Sequence, residues 1–333
     1  MENLPLKGML GYKLRIFRTA ALISVLFFSL PAPVWSSLVR VCIWKGTYIP
    51  SDLSRYRGKY RGTLAVERVG RSCYIVNTLD LEDYLYGVLA KEMEKNWPLE
   101  ALKAQAVCSR TMALFHIRSS LEKGLPWDVS DGVLHQVYAG IAGESDRVIE
   151  AVDATAGEYL VNGETLVPAF FHSCCGGYTS SAAEVWKSPF VCLVGVRDPY
   201  CEGSSYYAWS KTIPSSSLSK VLGIGVETVS VTSRDSAGRA VMVEARSSTG
   251  RKRIQGKDLR LSFPGIFTAP RVIPSTRFEV SSTAKGFLFK GTGYGHGVGL
   301  CQWGAKKMAE EGALYQEILQ HYFPMLSLYR EAE

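Results

Sequence analysis

The stretch that most constrains this chain runs over residues 80–117, DLEDYLYGVLAKEMEKNWPLEALKAQAVCSRTMALFHI. Leu81, Tyr84, Leu85, Val88 and Leu89 recur at the i, i+3, i+4, i+7, i+8 spacing of an amphipathic helix. Asp80 stands where an N-cap belongs, with Glu82 in the first turn and Asp83 three residues on, as in a capping box. Pro98, after Asn96 and Trp97, suits the first turn of a second helix. That helix carries Leu102, Ala106, Ser109, Ala113 and Ile117 on one mostly small stripe, so another backbone can come close. Two helices with a short break are therefore expected at the centre of the fold.

The first helix ends in an acid. At about 100° per residue Glu92 falls three turns after Leu81 and two after Leu85, within about 20° of their stripe. Burial disfavours the charged form, so a carboxyl there gains a raised pKa and can keep its proton near neutrality, as a general acid must. The alternative is that the helix frays at Met93 and Glu92 simply meets water. Glu94, two residues on, is the rival acid but points to the opposite side of a helix. Gln105 and Arg110 interrupt the apolar character of the second helix, and hold either a ligand or each other.

Around this pair the pattern changes period. Residues 39–44, 63–69 and 73–77 read as strands, punctuated by Gly46, Gly58, Gly62 and Gly70. Residues 148–156 read as a helix. Residues 159–168 read as a hairpin whose Asn162-Gly163 turn favours positive φ at both central positions. Residues 168–171 form a further strand. Residues 212–290 are strand-rich, with segments at 226–232, 240–246 and 287–290, and the Ser-rich 214–219 is a candidate subdomain boundary. A helix from about Gln302 should stop at Gly312, and a second, from Leu314, at Pro324. The fold class expected is α+β: a central helical pair with strand-rich flanks, in two lobes around a cleft.

Residues 1–37 stand apart from residues 38–333. Lys7, Lys13, Arg15 and Arg18 precede the apolar run at 19–30, and small residues follow Pro31-Ala32-Pro33. This is the pattern of a secretory signal, short for a full membrane span of roughly 20 residues. An uncleaved membrane anchor through 19–30 is the alternative. Either way the chain is expected to be exported, to the periplasm or cell envelope. The formal net charge is +7; four basic residues against Glu2 in this leader leave +4 for the rest. That mild excess, with no basic-aromatic motif, argues against nucleic acid and for an anionic wall or membrane surface.

Two later stretches carry chemistry. FHSCCGGYT sets His172 and Cys175 three apart at a strand end, and Cys201 follows in RDPYC. Zinc takes Cys and His ligands tetrahedrally, and His172, Cys175 and Cys201 could furnish three of four. A Cys175–Cys201 disulfide, with His172 on backbone, is the other reading, open to an exported chain. GTGYGHGVGLCQWG has glycine at every second position from Gly291 to Gly299, a spacing that misses the dinucleotide register. Missing side chains on one face let a bulky ligand or another chain lie close. Tyr294, His296, Gln302 and Trp303 can hydrogen-bond to or stack on a sugar.

These three stretches, in this order, resemble the stage II sporulation protein D (SpoIID) family, cell-wall proteins acting on peptidoglycan glycan strands. The likeness begins in EM…WPLEALKAQAV.SRT, covers about residue 38 to the end, and departs from the family where Glu94 replaces the usual Pro. The resemblance implies lytic transglycosylase activity, with the family's catalytic glutamate on Glu92, and zinc near the active site as in some members. Such an enzyme needs one acid, not the two of ordinary glycoside hydrolysis. Two other classes compete. One is a non-catalytic wall-binding protein that stimulates a separate amidase, as some relatives' amidase-enhancer label implies. The other is a zinc amidase using His172, Cys175 and His296.

Overall fold

The structure, a computed structural model, describes residues 38–50, 52–132, 136–263 and 272–330. It opens on strands β1 (Leu38–Gly46), β2 (Thr63–Val69) and β3 (Ser72–Asp80). β3 lies between the other two, with Val41 opposite Asn77 and Val66 opposite Ile75. β3 runs directly into helix α1 (Leu81–Glu92), where the Asp80 carboxylate accepts the Glu82 N–H at 2.9 Å. The expected reciprocal partner Asp83 instead faces Arg61 at 3.3 Å, so the start is a simple cap and not a capping box.

Helix α2 (Leu99–Lys123) follows after a short loop and ends at Gly124 in a left-handed cap, φ 61°. Its mostly small stripe is buried, with Leu102, Ala106, Ser109 and Ala113 fully covered and Ile117 nearly so. That closeness lets α1, then α3 (Asp146–Asp153), pack around it. Between α2 and α3, β4 (Val129–Ser130) pairs parallel with β1 and completes a four-stranded sheet. Next come β5 (Glu158–Asn162) and β6 (Thr165–Leu166). Asn162 pairs with Thr165, so the turn's central residues are Gly163 and Glu164. Gly163 has φ 59°, and Asn162 is not among the positive-φ residues. The expected turn is thus displaced by one residue, to a form that needs glycine only at its first central position.

β7 (Phe171–His172) and α4 (Ala182–Trp186) lead to the strand-rich region. There β8 (Ala208–Ile213), α5 (Ser215–Leu222), β9 (Thr228–Arg234), β10 (Ala240–Ser247), β11 (Gly250–Gln255), α6 (Gly256–Leu261), β12 (Phe278–Thr283) and β13 (Gly286–Thr292) build two three-stranded sheets. They share a core that includes Ile213, Leu218, Leu222, Val243, Phe278 and Phe289. The Ser-rich 214–219, the candidate subdomain boundary, is itself structured. It forms most of α5, whose Leu218 and Leu222 enter this core. The chain closes with β14 (Leu300–Cys301), α7 (Gln302–Glu310), α8 (Tyr315–Tyr322) and β15 (Ser327–Arg330).

Helices and sheets thus make an α+β fold, as the sequence pattern implied. The described residues belong to one compact unit. Within it the strand-rich region keeps its own core, so the expected two lobes reduce to two cores in one body. Among the described residues no helix is long and apolar enough to cross a membrane. Residues 1–37, with the expected signal or anchor through 19–30, lie outside them.

Candidate functional site

Glu92 is the last residue of α1, and Met93, buried at 3% exposure, caps the helix. Both sequence readings meet here: the helix does end, yet the carboxyl stays half-buried. Burial pushes its pKa up to about 7, against a pull downward from the Val137 N–H, which donates to Oε1 at 3.2 Å. The rival Glu94 is exposed. Below Glu92 on the same helix, the buried Tyr84 donates its O–H to Gln136 Oε1 at 3.1 Å. Burial, and then the charge of Glu92, hold that phenol well above its usual range. Tyr138 stacks at 5.2 Å from the Tyr84 ring and donates to Asn77 Oδ1 at 3.0 Å. Asp131, at the foot of this segment, has its carboxyl pushed up by burial.

The polar residues expected on substrate are mostly spoken for within the protein. Arg110, 1% exposed, donates to both carboxylate oxygens of Glu82, at 2.7 and 2.5 Å, and to the carbonyls of Glu158 and Val152. It knots α1, α3 and β5 onto α2. Gln105 is buried on α2, where its Nε2 donates to Ser109 Oγ and its Oε1 accepts Gln302 Nε2–H at 3.2 Å. Gln105 and Gln302 therefore hold each other, joining α2 to the start of α7. Beside them Trp97 and Trp303 meet edge to face at 5.2 Å, under Lys306. His296 accepts the Val298 N–H on Nδ1 at 3.1 Å, and the Phe171 backbone occupies the other side of the ring. Burial, then Arg260 and Arg239, press its pKa down to about 3. Its ring packs on Phe170, His172 and Trp186. These four side chains have partners within the protein, and Tyr294 is half-buried against Tyr206 at 4.5 Å.

The glycine-rich stretch is a seat for the protein's own chain. β14 pairs with β7, setting Cys301 beside His172, and Tyr294 bridges to Cys174. Gly297 and Gly299 have φ of 82° and 72°. A Cβ on Gly297 would stand 2.3 Å from the Arg239 guanidinium carbon, and one on Gly299 2.0 Å from the Phe170 carbonyl oxygen. The missing side chains admit the FHSCCGG segment and Arg239 in place of the expected sugar floor.

That lacing gathers a cluster. Cys175, Asp198, Cys201 and Cys301, all buried, bring their ligand atoms within 4.8 Å of one another. Cys175 Sγ lies 3.5 Å from Cys201 Sγ and 3.1 Å from Asp198 Oδ2, and all eight cysteines are free thiols. Hydrogen bonds from Cys174, Cys175 and Cys301 hold the Cys201 thiol far below its usual range, while burial lifts Asp198. Of the expected set of His172, Cys175 and Cys201, the two cysteines fall in this group. His172 donates its Nδ1–H to the Val298 carbonyl at 3.2 Å and stands outside the group of four, its Nε2 without a partner. Asp198 had a faint sequence signal, since Asp198-Pro-Tyr-Cys201 has the Cys-x-x-Cys spacing of metal loops. Cys301 had none, for a hundred residues separate it from Cys201. Gln136 and Val137 likewise carry no pattern of their own.

Comparison with known proteins bears on the same elements. The family model described as stage II sporulation protein (SpoIID) matches residues 70–162, from β3 through α1 and α2 to β5. An uncharacterized protein of Brachyspira hyodysenteriae is 36% identical over 80% of this chain and 71% of its own length. Stage II sporulation protein D of Bacillus amyloliquefaciens is 30% identical, covering 76% of this chain and 75% of that protein. An amidase enhancer of Bacillus subtilis is 28% identical over 73% of this chain but 40% of its own length.

Proposed function

Because the chain belongs to the stage II sporulation protein D family, with a role tied to the cell wall, we propose that it is a lytic transglycosylase of peptidoglycan glycan strands. The observation that carries this reading is Glu92, a half-buried carboxyl at the end of α1 whose pKa stands at about 7. Such a group is part protonated at neutrality, and one acid that gives and then takes a proton suffices for this chemistry. Glu92 first donates to the glycosidic oxygen between the muramic acid and the glucosamine, and that bond breaks. The muramic acid's own 6-hydroxyl then attacks its anomeric carbon and yields its proton to the Glu92 carboxylate. A 1,6-anhydro end forms without water, and the enzyme returns protonated. For sugar contact, Tyr294 remains the candidate, and the half-exposed Trp97, five residues past Glu92, offers a ring face.

We further propose that zinc sits on Cys175, Asp198, Cys201 and Cys301. Three sulfurs and one carboxylate, fully buried and mutually within 4.8 Å, suit zinc's tetrahedral preference as a closed, structural site. When bound, the ion would supply cross-linking of the 172–177 segment, the 198–201 turn and the start of α7. The zinc amidase alternative has less to rest on, since His172 and His296 stand outside the group of four. Export to the cell envelope, through residues 1–37, completes the reading.

A second reading rests on the relative named amidase enhancer: a wall-binding protein without catalysis that stimulates a partner amidase. One digestion separates the two. Purified glycan strands, with and without stem peptides, are incubated with the protein and analysed by mass. Transglycosylase activity gives anhydro-muramyl ends. The enhancer reading gives intact strands alone and faster peptide release once an amidase is added, and that result would retire the first reading.

A further inference from the structure

Residues 136–139 form a strap across α1. Gln136 is 1% exposed; its Oε1 accepts the Tyr84 O–H at 3.1 Å and its Nε2–H donates to the Ser109 carbonyl at 3.2 Å. One amide thus bridges α1 to α2. The next residue, Val137, aims its N–H at Glu92 Oε1, 3.2 Å away. Tyr138 follows, its O–H on Asn77 Oδ1 at 3.0 Å, its ring so close over Gly87 that a Cβ there would stand 2.6 Å from it. Ala139 closes the strap, donating its N–H to the Gly87 carbonyl at 3.0 Å.

We propose that Gln136 is a positioning residue for Glu92: its two side-chain hydrogen bonds hold the strap so that the Val137 N–H stays on the Glu92 carboxylate. The inference rests on Glu92 being the acid of the proposed reaction. An N–H aimed at a carboxylate favours the charged form, whereas burial favours the neutral one. The two act in opposition here, and their balance leaves Glu92 poised near neutrality. A backbone N–H has no freedom to seek the carboxylate; it points where the strap puts it. Burial survives if the Gln136 anchor is lost, because Met93 and Tyr84 remain, but the N–H drifts and the carboxyl grips its proton more tightly. On α1 the charge of Glu92 acts on Tyr84, whose phenol is raised and protonated through the neutral range; Tyr138 of the strap, stacked on Tyr84, is raised likewise. Asp131, near Tyr84 at the foot of the strap, has a carboxyl raised by burial.

The test is a carbon-13 carboxyl NMR titration of Glu92 in the full chain, beside Val137 amide exchange. In Gln136→Leu the Glu92 midpoint should rise by about one pH unit, the usual worth of a hydrogen bond to a charged group, and Val137 should exchange faster. Tyr84→Phe, which removes one of the two anchors and keeps the ring, should shift it the same way by less. The alkaline limb of the cleavage profile should move up with the midpoint. An unchanged midpoint in folded Gln136→Leu overturns the proposal; should that variant not fold, Tyr84→Phe decides in the same manner. The titration needs no turnover, so absent cleavage would count against the acid role of Glu92 and not against the strap.

Discussion

Glu92 keeps its proton because it is enclosed more than it is bonded, and that has a consequence for stability. Its pKa stands at about 7 in the fold against 4.5 when free. Between those values the folded state holds more protons than the unfolded one. Stability therefore falls as pH rises through this window, and the full cost is present above about pH 7. Glu92→Gln keeps the shape and the acceptor for Val137 but removes the charge. It should unfold in urea with a free energy about 1–3 kcal/mol higher than wild type at pH 8, a gain that fades near pH 4. Strand cleavage should drop by about a hundredfold or more. A variant less stable than wild type at pH 8 would mean the carboxylate is held by partners, not merely buried. At this scale the sequence was legible for Glu92, because stripe spacing locates a side chain whatever surrounds it. It left the partners of Arg110, Gln105, Gln302 and His296 open, because a polar residue looks the same in sequence whether its partner is a ligand or the protein itself.

Among the elements, α2 carries the heaviest internal demand. Arg110 is a fully buried cation whose bidentate partner, Glu82, sits on α1. Removing one partner of a buried pair leaves the other uncompensated, and such losses run at about 3–5 kcal/mol. Arg110→Ala should therefore lower stability by that order in chemical denaturation. Because Arg110 reaches other elements and not the Glu92 carboxyl, cleavage measured well below the melting temperature should change little. A large loss of turnover in the folded variant would return Arg110 to the substrate. The helix starts were readable from Asp80 and Pro98, while α2 runs on past the Ile117 end of its stripe to Lys123. The hairpin slipped by one residue, since Asn162-Gly163 favours two turn registers and strand pairing with Thr165 selects between them.

For the whole molecule, the cluster of Cys175, Asp198, Cys201 and Cys301 ties together three segments far apart in sequence. Protein purified without chelator should carry close to one zinc per chain by metal analysis. Stripping it should lower the melting temperature by several degrees, roughly 5 °C or more, since an ion bound by the folded state alone stabilises that state. Cys301→Ser should weaken retention against a chelator, while His172→Ala should leave the zinc content unchanged. Metal-free protein with a Cys175–Cys201 disulfide by mass would instead establish the disulfide reading. Loss of zinc from His172→Ala would restore that histidine as a ligand.

What the sequence determined by itself is whatever local periodicity and stereochemistry dictate. The α1–α2 pair, its cap, the strand-rich flanks and an acid at the end of an apolar stripe follow from spacings of a few residues, where geometry permits few alternatives. Three ordered motifs likewise marked the family before any fold was seen. Only tertiary structure decided which side chains meet across long separations: Gln105 with Gln302, Arg110 with Glu82, Cys301 with Cys175, and the Val137 N–H with Glu92. The physical reason is that a buried polar group takes whichever partner the packing brings to it. The glycine-rich stretch shows the same division: its spacing announced that something lies close to the backbone, and only the fold revealed that the something is the chain itself.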